Sequence, residues 1–275
     1  MRLILTIIAI SAMICAGAYA GVTFDPTDGL VSAWLFNDGT AKDPIGGNNG
    51  IIHGATSVDG KYGKCLEFDG VDNYVEIPDS SSLQIPEAIT VAAWMYVVPG
   101  GTLNLDHAAI CAKARMIGWS TDYSWRIATT SATDMTWGRC DGTNEGYFAT
   151  AGVIPATEQW VHVALTSGAP GSATPMRAYV NSEDVTGVSG ESGMNIVSPY
   201  SISEGIPVEI GVGRAQGGTV GNDSFFSGRI DDVVVYNRGL TAGEISELMN
   251  TDLGTIVTAV EAAGKIASVW GKIKQ

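Results

Sequence analysis

Two acids stand side by side inside an apolar stretch near the end of the chain: Phe225-Phe226-Ser227-Gly228-Arg229-Ile230-Asp231-Asp232-Val233-Val234-Val235-Tyr236-Asn237-Arg238-Gly239-Leu240. β-Branched and aromatic residues bounded by glycines specify a β-strand. Strict alternation predicts Asp231 on the face of Val233 and Val235, and Asp232 on the face of Ile230, Val234 and Tyr236. At least one carboxylate then meets an apolar layer, which is costly unless donors or a cation satisfy it. Calcium takes about six to eight oxygens from carboxylates, amides and backbone carbonyls, often gathered by a bent polar loop. The loop Asp43-Pro44-Ile45-Gly46-Gly47-Asn48-Asn49-Gly50 offers such oxygens. The expected metal set is therefore Asp43, Asn49 and Asp231, with Asn48 and Asp232 behind them, around a structural calcium that ties the N-terminal loop to the C-terminal strand. The alternative is that Asp231 caps the N–H groups of a turn and the loop is an ordinary solvated turn.

Other chemistries find less support. A glycosidase needs two carboxylates on either side of a scissile bond, and adjacent acids that alternate across a strand cannot form that pair. Glu67 and Glu76 fall on different strands, and nothing in their spacing brings them together. The chain has no G-x-S-x-G elbow, H-E-x-x-H or phosphate loop. His53, His107 and His162 lie far apart, and His162 alternates with Trp160 and Ala164 as a packed or surface strand residue does. Sugar recognition would use aromatic platforms. Trp119, Tyr123, Trp125, Trp137 and Tyr147 cluster in a middle segment rich in Ser, Thr, Asp and Gly, and are the candidate ligand-binding residues. A sandwich core also needs large side chains, so part of that set is expected inside.

The elements that would position these residues are short apolar runs between turn signals. Examples are Leu30 to Phe36, Leu66 to Phe68, Tyr74 to Ile77, Trp160 to Thr166 and Met176 to Val180. Thirty-five glycines and only 16% charged residues accompany them. The pattern predicts an all-β, antiparallel two-sheet sandwich. Both parities are apolar from Ile89 to Val97, which predicts a strand buried on both faces. Thr241 and Glu244 form a capping-box pair ahead of Ile245 and Leu248, so a short helix follows the last strand. With no internal repeat or linker, one domain is expected over residues 21–250. A tail over 251–275 has apolar spacing compatible with an amphipathic helix, which would dock on the sandwich, bind a partner or stay a loosely ordered tail.

Met1-Arg2, the apolar run Leu3 to Ala16 and Ala18-Tyr19-Ala20 form a charged start, an apolar region and a cleavage site. Residues 1–20 are thus expected to be a secretion signal cut near Ala20, and the product secreted, periplasmic or on the cell surface. A run of roughly 15 apolar residues is short for a membrane span, and membrane insertion of the mature chain is not expected. The formal net charge of −14 disfavours nucleic acid and anionic membranes as partners. An extracellular glycan or surface protein is the expected partner. Export permits disulfides. Cys65, Cys111 and Cys140 follow the leader, and Cys111 with Cys140, in neighbouring segments, is the favoured pair.

Several of these stretches, in their order, resemble the concanavalin A-like, laminin-G-type jelly-roll family. They are Gly29 to Phe36, the Asp43 to Gly50 loop, Leu66-Glu67-Phe68-Asp69-Gly70-Val71-Asp72-Asn73-Tyr74-Val75, Ile89 to Tyr96, and Phe226 to Thr241. The resemblance implies two curved antiparallel sheets, often a structural calcium, and a non-catalytic glycan- or protein-binding role, the alternatives being a polysaccharide hydrolase of the same fold and a structural or adhesive surface protein. Hydrolases on this fold carry an E-x-D-x-E-like strand, which this chain lacks. The segment Leu103 to Ala156 departs most from the family pattern, and fold alone does not fix function.

Overall fold

The computed structural model describes residues 24–97, 108–114, 123–131, 133–154, 158–173, 176–187, 189–192, 199–214 and 224–259. The expected leader and most of the expected tail lie outside them. In chain order the strands are β1 (Leu30–Trp34), β2 (Ile51–His53), β3 (Thr56–Asp59), β4 (Lys64–Asp69), β5 (Tyr74–Ile77), β6 (Ile89–Val97), β7 (Ala108–Ala114), β8 (Tyr123–Thr129) and β9 (Met135–Cys140). They continue as β10 (Glu145–Thr150), β11 (Trp160–Ser167), β12 (Arg177–Val180), β13 (Glu183–Asp184), β14 (Ser189–Ser192), β15 (Val208–Ile210), β16 (Val212–Gly213), β17 (Ser224–Phe225) and β18 (Ser227–Tyr236), followed by helix α1 (Ala242–Met249). The first sheet runs β13-β12-β11-β6-β18-β4-β3, with β1 also on β18, and the second runs β14-β10-β9-β8-β7-β15-β5-β2. The expected all-β antiparallel two-sheet jelly roll is the fold that forms.

Strand β18 holds the first sheet together. One flank pairs with β6 along its length. The other pairs with β4 over Ser227 to Ile230 and with β1 over Val233 to Tyr236. Asp231 and Asp232 lie where the partner changes. There the register with β6 slips, so that Trp94 faces Asp231 while Ala92 faces Val234. Asp232 is the extra residue, at φ 45° in the left-handed region, and it makes a β-bulge. The bulge overturns the expected alternation. Ile230, Val233 and Val235 point into the core, whereas Val234 and Tyr236 belong to the outer cluster. Asp231, placed by alternation with Val233 and Val235, instead meets groups on the outer side of the sheet.

Between the sheets, Trp34, Phe36, Leu66, Phe68, Trp125, Trp137 and Phe226 form the bulk of a single core. At roughly 1.5–3 kcal/mol for each large buried side chain, this burial is the main drive for the sandwich. The outer face of the first sheet is organised in rows across the strands. Tyr179, Ala164, Ala92, Val234 and Ala33 are register partners in succession. The three alanines keep that row low, and Ile245 and Leu248 of α1 pack over it with Leu253 and Val257 of the helical residues 253–259. The expected capping box forms: the Glu244 N–H donates to Thr241 Oγ1 at 3.3 Å, and the Thr241 N–H donates to Glu244 Oε2 at 2.8 Å. This cover explains why β6 is apolar at both parities.

Replacing Ala92 with Leu drives a branched side chain into the seat of α1. The expected loss is about 1–3 kcal/mol, as for other overpacked sites, read as a lower urea midpoint. An unchanged midpoint would show that the helix does not bear on this row.

Candidate functional site

The Asp43 loop is organised around its own carboxylate. Asp43 is 3% exposed. Its Oδ1 accepts from the N–H groups of Ala33 (3.1 Å), Ile45 (3.0 Å) and Gly46 (3.2 Å), and its Oδ2 from those of Gly46 (3.2 Å) and Asn48 (3.1 Å). Asn49 Oδ1 accepts from the Asp43 N–H at 3.0 Å. Asn48 exchanges hydrogen bonds with Ser82 and donates to Ser32 Oγ at 2.8 Å, while its backbone carbonyl accepts from Trp34 Nε1 at 2.7 Å. The oxygens expected to coordinate calcium are thus held by backbone and side-chain donors, and the loop carries no linkage to Asp231. The physical reason is that a tight turn turns its N–H groups inward, and a buried carboxylate is their natural acceptor.

Asp231 follows the alternative reading. It is fully buried, and Oδ2 accepts from the N–H groups of Lys61 (2.8 Å) and Tyr62 (3.2 Å), in the turn between β3 and β4. Oδ1 accepts from the Asp232 N–H at 2.9 Å. Approach of the turn requires Gly60, where a Cβ would meet Asp231 Oδ2 at 2.5 Å and the Cys65 nitrogen at 2.9 Å. Burial pushes the Asp231 carboxyl up to about 7 against the opposing pull of these N–H donors.

Asp232 is different. It is 4% exposed, and among the described residues neither carboxylate oxygen has a hydrogen-bond partner. Burial first, then the charges of Asp231 and Asp252, pushes its carboxyl up to about 8. A buried carboxylate without donors is stable only as the neutral acid or beside a cation. Among the described residues no cluster of three or more His, Cys, Asp or Glu side chains is placed to hold a metal ion.

Two members of the expected aromatic platform have described side chains, and both are internal. Trp125 and Trp137 are fully buried in the core, with Trp137 Nε1 donating to Thr150 Oγ1 at 3.0 Å. They are core residues because β8 and β9 turn that parity inward. Trp119 and the side chains of Tyr123 and Tyr147 lie outside the described residues. The expected Cys111–Cys140 disulfide is not formed. Cys111 faces the core, whereas Cys140 belongs to an outer cluster two strands away with Ala112 and Ala128, and it accepts from the Gly142 N–H at 3.1 Å. Residues on opposite faces of a sheet cannot meet disulfide geometry. Burial pushes the Cys65 thiol up to about 12, which makes it a poor nucleophile.

The open aromatic surface lies elsewhere, on the outer face of the first sheet beyond α1. Next to the alanine row, His162, Trp94 and Asp231 are successive partners. The turn at Lys61 and Tyr62 covers them, with Lys61 Nζ 4.3 Å from the Trp94 ring centre. The following row is Trp160, Tyr96, Arg229, Glu67 and Thr56. Trp160 and Tyr96 meet edge to face at 5.5 Å, Arg229 Cζ stands 5.4 Å from the Tyr96 ring centre, and Arg229 Nε donates to Glu67 Oε2 at 2.7 Å. Trp160, Tyr96, Arg229 and Glu67 are half-buried. The i, i+2 spacing of Trp94 and Tyr96, and of Trp160 and His162, was the available signal for this face, but sequence does not say which rows a helix or turn will cover.

Glu67 and Glu76 fall on different sheets and do not converge. Glu76 instead faces Glu209 across β5 and β15, and Glu209 is held by Arg214 Nε at 2.7 Å.

A family model for the concanavalin A-like lectin/glucanases superfamily (Laminin G 3) matches residues 69–246. The chain belongs to that superfamily. No curated protein matches it in sequence. Among solved structures, this concanavalin A-like chain is similar to domain 4 of AbnA, an extracellular GH43 arabinanase from Geobacillus stearothermophilus, in complex with arabinotriose. That match has a TM-score of 0.57 and 18% identity, and covers 80% of this chain and 98% of that one. It is also similar to the binding domain of Paraclostridial Mosquitocidal Protein 1 (TM-score 0.59, 15% identity, 82% of this chain and 52% of that chain). The binding domain of botulinum neurotoxin DC, in complex with rat synaptotagmin II, gives a TM-score of 0.58 at 14% identity over 82% of this chain and 52% of its own. The chain thus spans about half of those toxin domains, and at these identities the likeness is one of fold.

His162 supplies a pH test of the covered row. It is 3% exposed and packs on Trp94 at 5.2 Å. Burial, then the nearby Lys61 charge, lowers its pKa to about 3. The unfolded chain binds the proton near pH 6.5 and the folded chain does not. Stability is therefore present above about pH 6.5 and is lost as pH falls towards 3. Replacing His162 with Leu is expected to remove this part of the acid sensitivity, measured as the difference between the two proteins' melting temperatures from pH 7 to pH 4.

Proposed function

We propose that the chain is an exported, non-catalytic binding module for an extracellular glycan or surface protein, with its fold pinned by a calcium ion at Asp232. The observation that carries the binding role is the row Trp160–Tyr96–Arg229–Glu67, which leaves aromatic rings and an ion pair accessible on a rigid sheet. Sites built on strands hold their geometry better than sites on loops. The partner classes are those named for two similar structures, a trisaccharide for one and a protein for the other. Export rests on the leader over residues 1–20. Among the described residues no helix is long and apolar enough to cross a membrane.

Calcium is assigned to Asp232 because that carboxylate is buried with both oxygens unpartnered among the described residues. The cation would supply charge compensation at the bulge, where the chain otherwise buries two acids side by side. In the metal-free protein the sign is opposite to that for an ordinary carboxylate. Between about pH 4 and pH 8 folded Asp232 keeps a proton that the unfolded chain has lost, so stability falls as pH rises through this window.

The test is calorimetry after chelation. Wild type is expected to melt at a lower temperature at pH 8 than at pH 5, and to recover on adding calcium. Asp232→Asn should flatten the pH dependence and abolish the calcium response. Asp43→Asn should lower the melting temperature, because it weakens an acceptor of backbone N–H groups, yet leave the calcium response in place. A wild-type protein without calcium response, or a response lost with Asp43→Asn and kept with Asp232→Asn, would sink the assignment.

A further inference from the structure

The outer face of the first sheet carries three successive rows with different fates. α1 covers the alanine row, the Lys61–Tyr62 turn covers the Trp94 row, and the Trp160 row stays accessible. Strands are spaced about 4.8 Å apart, so the four residues from Trp160 to Glu67 span roughly 14 Å across β11, β6, β18 and β4. One half of that span is aromatic. The other half is an Arg–Glu pair whose charges balance, presenting donors from Arg229 and acceptors from Glu67 next to each other.

From this juxtaposition we propose that the Trp160–Tyr96–Arg229–Glu67 row is the binding surface for a short, neutral oligosaccharide lying across the strands. The inference deepens the binding-module reading and rests on it. A sugar ring has an apolar C–H face and a rim of hydroxyls, which matches rings at one end of the row and a donor–acceptor pair at the other. Charge complementarity selects the class. A polyanion would gain Arg229 but meet Glu67 within 2.7 Å of it, on a chain of net charge −14. A cationic partner would face the reverse conflict. A neutral hydroxylated ligand uses both members without leaving either charge uncompensated. The ion pair also holds Arg229 beside the Tyr96 ring, so the side chains are set before the ligand arrives.

The experiment is titration of the purified protein with neutral gluco-, xylo- and arabino-oligosaccharides of three to six units, and with uronate-containing oligosaccharides of the same length. Trp160→Ala, Tyr96→Ala, Arg229→Met and, as a control in the buried core, Trp137→Phe are measured in parallel, with melting temperature recorded for each. The expected result is binding of a neutral oligosaccharide that weakens at least tenfold in the Trp160, Tyr96 and Arg229 variants and is kept in Trp137→Phe. Trp160→Phe should retain more affinity than Trp160→Ala, which separates loss of a ring from loss of the fold. Neutral-sugar binding unaffected by the row variants overturns the site and leaves the module reading standing. Binding only to uronates overturns the neutral class, and binding to a protein but to no sugar overturns the glycan assignment. A wild-type protein that binds neither sugars nor surface proteins overturns this inference and the binding-module reading together.

Discussion

The first sheet depends on a change of partner in the middle of one strand. β18 must pair with β4 at its start and with β1 at its end while keeping β6 along its other side. That edge changes partner between Ile230 and Val233, and at the same place the ladder with β6 on the other edge slips at the Asp232 bulge. The N–H groups of the turn between β3 and β4 then have to be satisfied at the interruption. The Asp231 carboxylate meets two of them from a fully buried position. A neutral apolar residue at 231 would remove the acceptor that those donors share. The bulge is thus a junction between the N-terminal strand, a hairpin turn and the last strand.

The same junction sets the outer face. Downstream of the bulge, Val234 and Tyr236 join Ala33, Ala92 and Ala164 in an apolar strip where α1 packs. Upstream, Arg229 stands with Tyr96 and Trp160 on an accessible strip. Without the extra residue, one of these two strips would turn into the core, because a one-residue shift moves every following side chain to the other face. Helix cover and open surface on one sheet are therefore linked through a single left-handed residue.

Buried ionisable groups in this molecule divide by whether donors reach them. Asp43 is met by backbone N–H groups on both oxygens, and Asp231 by three such donors. Lys113, fully buried, reaches the Ile206 carbonyl at 2.6 Å and Asp79 at 2.5 Å. Asp232 is the contrast, with neither oxygen partnered among the described residues. That difference is what the calcium proposal at Asp232 rests on.

The sequence by itself determined the sandwich, its strand-rich order, the capped helix after the last strand and the two-faced burial of β6. These follow from local period, turn residues and capping chemistry, which act over a few residues. It also identified the acids of β18 as the exceptional groups in an apolar strand. What it did not determine was their direction, because alternation assumes an unbroken ladder and the pairing with β6 slips at Asp232. Nor did it separate core from surface among the aromatics. Trp125, Trp137, Trp160 and Tyr96 all sit in similar short strands, and only the packing of the second sheet, α1 and the Lys61–Tyr62 turn decides which rings stay open. The Asp43 loop was legible as a polar turn, but whether its oxygens would face a cation or the turn's own N–H groups depended on backbone geometry. Tertiary structure settled these points because each concerns what lies across a sheet or beyond a turn, where sequence spacing carries no distance.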